Sequence, residues 1–171
     1  MPRTRFDLLQ RLGIEFDKHR DFGIDVESFA ELLISSGLVL NPKIKWIAFH
    51  GGYDFAYLLR CMMGANLPAD EAEFFNLMSI WFPSVYDIKH LMQARNNNFT
   101  GGLNDLADML QVVRIGPQHQ AGSDSLLTAL TFSSCSKKHM PGLLEEPDNE
   151  CKGRIFGLNW SGPQQQHQRR I

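Results

Sequence analysis

One junction constrains this chain more than any other stretch of it. The run Ile44-Lys45-Trp46-Ile47-Ala48-Phe49 is short, aromatic and β-branched, and His50-Gly51-Gly52 closes it before Asp54. That composition favours a buried strand. Beyond the glycines, Phe55, Leu58, Leu59 and Met62 fall on one helical face, which ends by Gly64. A strand that ends at His50 is thus followed by a sharp glycine turn and a helix whose first turn holds Asp54.

Helical signals surround the junction. Thr4 and Asp7 form a capping pattern ahead of Phe6, Leu8, Leu9 and Leu12, with Gly13 as the stop. From Asp25, the residues Val26, Phe29, Leu32 and Leu33 predict a helix of three turns ending near Gly37. Pro68 opens a helix bearing Phe74, Phe75, Leu77, Met78 and Trp81, its early turns holding Asp70, Glu71 and Glu73, and Pro83 stops it. Val85-Tyr86 reads as a short strand, Asp87 as the cap of a helix through Leu91, and Asn96-Asn97-Asn98 as a loop. Leu103, Leu106, Ala107 and Leu110 predict one more helix. Ser123 or Asp124 can cap another that carries Leu126, Leu127, Leu130 and Phe132. Arg154 to Leu158 reads as a strand or an extended docking segment, and residues 161–171 as a disordered polar tail.

Composition narrows the class. With 171 residues, 43% of them hydrophobic and 21% charged, the chain is an ordinary globular protein and not a collagen, a coiled coil or a disordered polymer. Seventeen Lys and Arg against nineteen Asp and Glu give a charge of −2, which argues against holding nucleic acid by bulk charge. The three cysteines form no Cys-Xaa-Xaa-Cys pair and read as reduced thiols of a cytosolic or nuclear protein. No run is long enough for a signal peptide or a membrane span.

Two stretches carry groups suited to hydrolysis. At the first, Asp54 enters a helix just beyond the strand end at His50, where its carboxylate can project into a cleft. Equally, it can serve only as a first-turn helix acid, with His50 a satisfied strand-end histidine. At the second, His119-Gln120-Ala121-Gly122-Ser123-Asp124 pairs a histidine with a carboxylate five residues on. Phosphodiester hydrolysis with metal ions uses carboxylates to hold hard cations and a neutral histidine to accept a proton from water. Spacing alone leaves open the plainer reading, in which Asp124 caps a helix and His119 is a loop donor.

The segments Phe49-His50-Gly51-Gly52-Tyr53-Asp54-Phe55, Leu67-Pro68, Phe82 to Lys89, Gly101-Gly102-Leu103 and Arg114 to Thr128 resemble the Caf/Pop deadenylases in content and order. The resemblance runs from about Leu8 to Leu158, and Gly-Pro-Gln-His-Gln-Ala-Gly-Ser-Asp-Ser is its most specific stretch. It implies an α/β, RNase H-like DEDD exonuclease domain of the histidine type over residues 1–160. The implied activity is poly(A)-specific 3′-to-5′ exoribonuclease action on mRNA tails, releasing 5′-AMP, in the cytoplasm and nucleus. By the same resemblance Asp54 and Asp124 are the third and fourth metal-binding acids, His119 is the general base, and the cofactors are Mg2+ or Mn2+. The implied partners are poly(A) RNA and subunits of the Ccr-Not complex, including the Not scaffold and a second deadenylase, with no membrane. For substrate contact the candidates are Phe55, Lys89 and Arg114, with Arg95 a further cation, although Asn97 to Thr100 departs from the family's lysine-bearing loop.

The family's first two acids lie in an Asp-Xaa-Glu-Phe-Pro-Gly motif on a central first strand, and the sequence contains no such segment. The Asp-Xaa-Glu at Asp25-Val26-Glu27 lacks the Phe-Pro-Gly and reads as a helix cap with a first-turn acid. The expectation is an N-terminally truncated, helix-rich domain without the first strands. Its Ile44–Phe49 strand then keeps an open edge, the chain is marginally stable, and hydrolysis is impaired, because two carboxylates do not make a four-acid clamp. Such a chain is a short isoform or a truncated gene model, and the alternative function is a non-catalytic scaffold-binding protein.

Overall fold

A computed structural model of the chain describes residues 5–94, 99–139, 142 and 151–158. The described elements, in chain order, are α1 (Arg5–Arg11), α2 (Phe16–Phe22), α3 (Val26–Ser35), β1 (Trp46–Ala48), α4 (Gly52–Met63), α5 (Glu71–Trp81), β2 (Val85–Asp87), α6 (Ile88–Ala94), α7 (Leu103–Met109) and α8 (Ala121–His139). They fall into two compact units, one formed by Met1–Phe29 with Gly101–Pro141 and the other by Ala30–Thr100 with Gly142–Ile171. The Asn96–Asn98 loop, Arg95 and the 161–171 tail lie outside the described residues.

The unit built from Ala30–Thr100 and Gly142–Ile171 contains the sheet. β1 and β2 run parallel, with Trp46 opposite Val85, Ile47 opposite Tyr86 and Ala48 opposite Asp87. Parallel neighbours need a crossover, and α4 and α5, packed on each other, provide it. Phe55, Leu59 and Met62 of α4 join Phe74, Phe75 and Met78 of α5 around Phe82 and Val85 to make the core. The Phe82 ring meets the edges of Trp46 and Phe55 at 5.1 and 5.2 Å between centroids, a favourable aromatic arrangement.

β1 is shorter and more open than the Ile44–Phe49 run predicts. All three of its residues are half-buried, whereas those of β2 are buried. Among the described residues each strand has the other as its one strand neighbour, but β2 is also covered by the 151–158 segment, through the Gly153 N–H on the Val85 carbonyl, whereas β1 has no second strand beside it. Local chemistry also shifts one helix start. Asp70, not Pro68, opens α5, its carboxylate accepting from the Glu73 N–H at 2.9 Å. Gly64 ends α4 in the left-handed conformation (φ 61°). Residues 154–158 form turns, not a strand, and dock through buried Ile155 and the Gly153 N–H donating to the Val85 carbonyl at 2.9 Å.

In the other unit, α7 and α8 pack together, with Leu106, Leu110, Leu127, Phe132 and Cys135 buried. Burial pushes the Cys135 thiol up to about 11, which keeps it protonated and unreactive. α8 begins at Ala121, so Ser123 and Asp124 sit inside its first turn and not at its cap; the Asp124 N–H already donates to the Gln120 carbonyl. The helix α2 has no counterpart in the apolar pattern; its sequence signal is the exposed pairs Glu15–Lys18 and Asp17–Arg20, which contribute little stability.

Asp25 caps α3 by accepting the Ser28 N–H at 2.9 Å, and that bond holds its carboxyl below the usual carboxylate range. The Asp-Xaa-Glu here is thus a helix start. The predicted apolar face of α3 is only partly covered: Val26, Phe29 and Leu32 are exposed, whereas Leu33 is half-buried against the core and Ala30 is the buried residue of the helix.

Candidate functional site

The first candidate acid stands on the turn from β1 to α4. His50 takes a left-handed conformation (φ 58°), and the chain then passes so close to its own strand that a Cβ on Gly51 would lie 2.5 Å from the Ala48 Cβ and 3.2 Å from the Phe55 ring. Only glycine fits there. Asp54 follows in the first turn of α4, where the helix dipole favours a carboxylate. Its side chain is exposed and makes no hydrogen bond or ion pair among the described residues.

Asp87 fixes this turn. It is fully buried, and its two oxygens accept four backbone N–H groups: His50 at 2.9 Å, Gly51 at 3.1 Å, Lys89 at 3.0 Å and Phe156 at 3.1 Å. Four donors compensate a carboxylate for the loss of water, and charged acceptors make the stronger bonds. The Lys89 bond is the helix cap the sequence implies. The other three tie the His50-Gly51 turn and the docking segment at Phe156 to the end of β2, and no local pattern marks them.

The remaining candidates of this unit divide. Phe55 is 4% exposed and packed edge-on against Trp46 and Phe82, a core ring and not a cleft ring. Lys89 is half-buried, its Nζ 4.7 Å from the centroid of Phe156 and 5.7 Å from that of Phe49. The His50 ring meets Phe156 edge-on at 4.8 Å. Next to Lys89, His90 has its pKa lowered by burial and by the Arg154 charge, against the opposing pull of Asp87.

The second candidate acid stands at the start of α8 and is held by its own side chain. The Arg114 Nη1 donates to Asp124 Oδ1 at 2.6 Å and to Ser123 Oγ at 2.9 Å, while Nε and Nη2 both donate to Asn104 Oδ1 at 3.0 and 2.8 Å. The Ser123 hydroxyl in turn donates to the Ile115 carbonyl at 2.8 Å. With the Arg114 side chain 16% exposed and that of Asp124 38%, this is a partly sheltered ion pair. Arg114, a candidate for phosphate contact, is here committed to Asp124, Ser123 and Asn104. His119 sits on the preceding loop in a left-handed conformation (φ 62°) with an exposed side chain.

The donors suit hard cations in kind, since both acids offer carboxylate oxygens and Asp124 keeps Oδ2 clear of Arg114. In number they do not fit a two-ion centre. Among the described residues no three His, Cys, Asp or Glu side chains gather where an ion could sit. Likewise, no described helix is long and apolar enough to cross a membrane.

A parallel αβ crossover, a glycine turn into an acid-bearing helix and a His-Xaa4-Asp loop into a second helix define the class on which the comparisons converge. The profile of the CAF1 family ribonucleases matches residues 16–132, and the chain belongs to that family. It is 49% identical over 156 residues to the poly(A) ribonuclease pop2 of Schizosaccharomyces pombe, covering 91% of this chain and 45% of that protein. It is likewise 49% identical over 152 residues to the probable CCR4-associated factor 1 homolog 7 of Arabidopsis thaliana, covering 89% and 54%. Its fold matches S. pombe Pop2p in the Mg2+- and Mn2+-bound form with a TM-score of 0.82 at 49% identity, over 90% of this chain and 59% of that one. A structure of the yeast NOT1 MIF4G domain co-crystallised with CAF1 matches at TM-score 0.69 and 30% identity, over 86% and 59%. The chain thus spans about half the length of the relatives it matches. The fold is the CAF1 fold, here helix-rich with two short described strands.

Proposed function

We propose that this chain carries the third and fourth acids and the general-base histidine of a poly(A)-specific 3′-to-5′ exoribonuclease, and that by itself it does not shorten poly(A). Membership of the CAF1 ribonuclease family over residues 16–132 is the observation that carries the reading. Asp54 and Asp124 are the metal-binding acids and His119 accepts the proton of the attacking water. Mg2+ or Mn2+, both bound in the fission-yeast relative, is the ion of the complete enzyme. The protein works in the cytoplasm and nucleus with the Ccr-Not complex, beside its Not scaffold and a second deadenylase, and Lys89 is its substrate-facing cation, whereas Arg114 is taken up by Asp124, Ser123 and Asn104 and positions the acid.

The impairment follows from the donor count. A two-ion mechanism places one ion on the attacking water and one on the leaving oxygen, about 4 Å apart. The sequence contains no Asp-Xaa-Glu-Phe-Pro-Gly segment to supply the other two acids. Incubation of the purified chain with 5′-labelled oligo(A) and Mg2+ tests this: the strand keeps its length, whereas shortening that is abolished in Asp124→Ala overturns the impairment.

A second reading, a non-catalytic scaffold-binding protein, is favoured by the similarity to a CAF1 crystallised with a NOT1 MIF4G domain together with the lack of a three-donor cluster among the described residues. Retention of this chain on an immobilised MIF4G domain of the Not scaffold, with no binding of oligo(A), decides for it.

A further inference from the structure

Lys89 carries a charge that its surroundings do not answer. It is half-buried, yet among the described residues it forms no salt bridge. The buried carboxylate nearest in sequence, Asp87, uses both oxygens on four backbone N–H groups. What surrounds the ammonium is aromatic: Phe156 at 4.7 Å and Phe49 at 5.7 Å, with His50 set edge-on against Phe156. Ring faces attract a cation and fix its place, but they carry no net charge and leave it able to bind an anion.

Ala48 and Asp87 are register partners at the ends of two parallel strands, so Phe49-His50 and Lys89 leave the sheet at the same end. In open α/β sheets that carboxyl end is where ligands bind. The same turn continues into the helix that bears Asp54. Asp87 pins the backbone of His50, Lys89 and Phe156 simultaneously, so the cluster is built before any ligand arrives.

We propose that Lys89, seated on Phe49 and Phe156 beside His50, binds a backbone phosphodiester of single-stranded RNA at the carboxyl end of the β1–β2 sheet. The inference rests on the reading that the chain engages poly(A), and gives that reading a phosphate subsite.

The test is the anisotropy of 3′-fluorescein oligo(A) titrated with the whole chain, without divalent ions, over a salt series. Lys89→Met weakens binding about tenfold and reduces the slope of log affinity against log salt by about 0.7, the value for one phosphate contact on a single strand, and Lys89→Arg restores both. Partial unfolding of a variant lowers the active fraction without changing that slope. A wild-type measurement stands independently of any variant: oligo(A) protects Lys89, but not Lys43 or Lys45, from acetylation read by mass spectrometry. Absence of oligo(A) binding by the wild type overturns the poly(A) reading and the subsite together. Binding with an unchanged slope in Lys89→Met, or with Lys89 unprotected, overturns the subsite alone.

Discussion

The turn into α4 and the loop into α8 each set an acid in the first turn of a helix, and they do it by opposite means. At the first, the scaffold is fixed and the acid is free: Asp87 holds the His50 and Gly51 amides, and Asp54 itself has no partner among the described residues. At the second, the acid itself is fixed, by the guanidinium of Arg114, which is anchored on Asn104. A buried carboxylate acting through backbone amides determines where a segment runs. A guanidinium acting on a carboxylate determines where one side chain points. The two should differ in their energetics: the first belongs to the fold of its unit, the second mainly to the site.

The largest expected effect is at Asp87. Asp87→Asn removes the charge that four N–H groups share and turns an amide N–H toward donors, costing on the order of 3 kcal/mol or more. Urea denaturation measures it, and a loss smaller than that of Arg114→Met would erase the contrast. Gly51→Ala comes next, at about 1–3 kcal/mol, because the new methyl would meet Ala48 at 2.5 Å in a packed turn. Arg114→Met should cost about 1 kcal/mol once solvent screening of the half-open pair is counted. The smallest effect has the opposite sign. In α8 nothing lies within 4 Å of a Cβ on Gly122, so Gly122→Ala should raise the melting midpoint, by at most about 1 kcal/mol of stability. Paired melts of Gly51→Ala and Gly122→Ala therefore compare the two helix starts directly, and equal effects would show them to be built alike.

What the sequence revealed and what it hid follow the range of the interactions. The strand, the glycine turn and α4 were legible because their signals are local: an aromatic and β-branched run, then a 3.6-residue period closed by Gly64. Asp25 was legible as a cap for the same reason, since its bond reaches only to Ser28. Asp87 was legible only for its bond to Lys89; its partners at His50, Gly51 and Phe156 are 37, 36 and 69 residues away. The length of β1 was hidden because a strand extends as far as it is paired, and pairing is not a property of the strand's own residues. The apolar pattern of α3 marked a helix correctly but not the exposure of Val26, Phe29 and Leu32. For the candidate site, the motif singled out Asp54, His119 and Asp124 as expectations, while the Arg114–Asn104 fork and the aromatic seat of Lys89 required the folded chain.

The central claim is that Asp54 stands on a turn already built by this chain, held through Asp87. Amide hydrogen exchange at His50, Gly51, Lys89 and Phe156 tests it most directly. These four amides are expected to be protected in the wild type and to lose protection together in Asp87→Asn, with the amides of α8 unchanged. Wild-type amides that exchange as fast as open loop, or an Asp87→Asn protein that keeps all four protected, would contradict it.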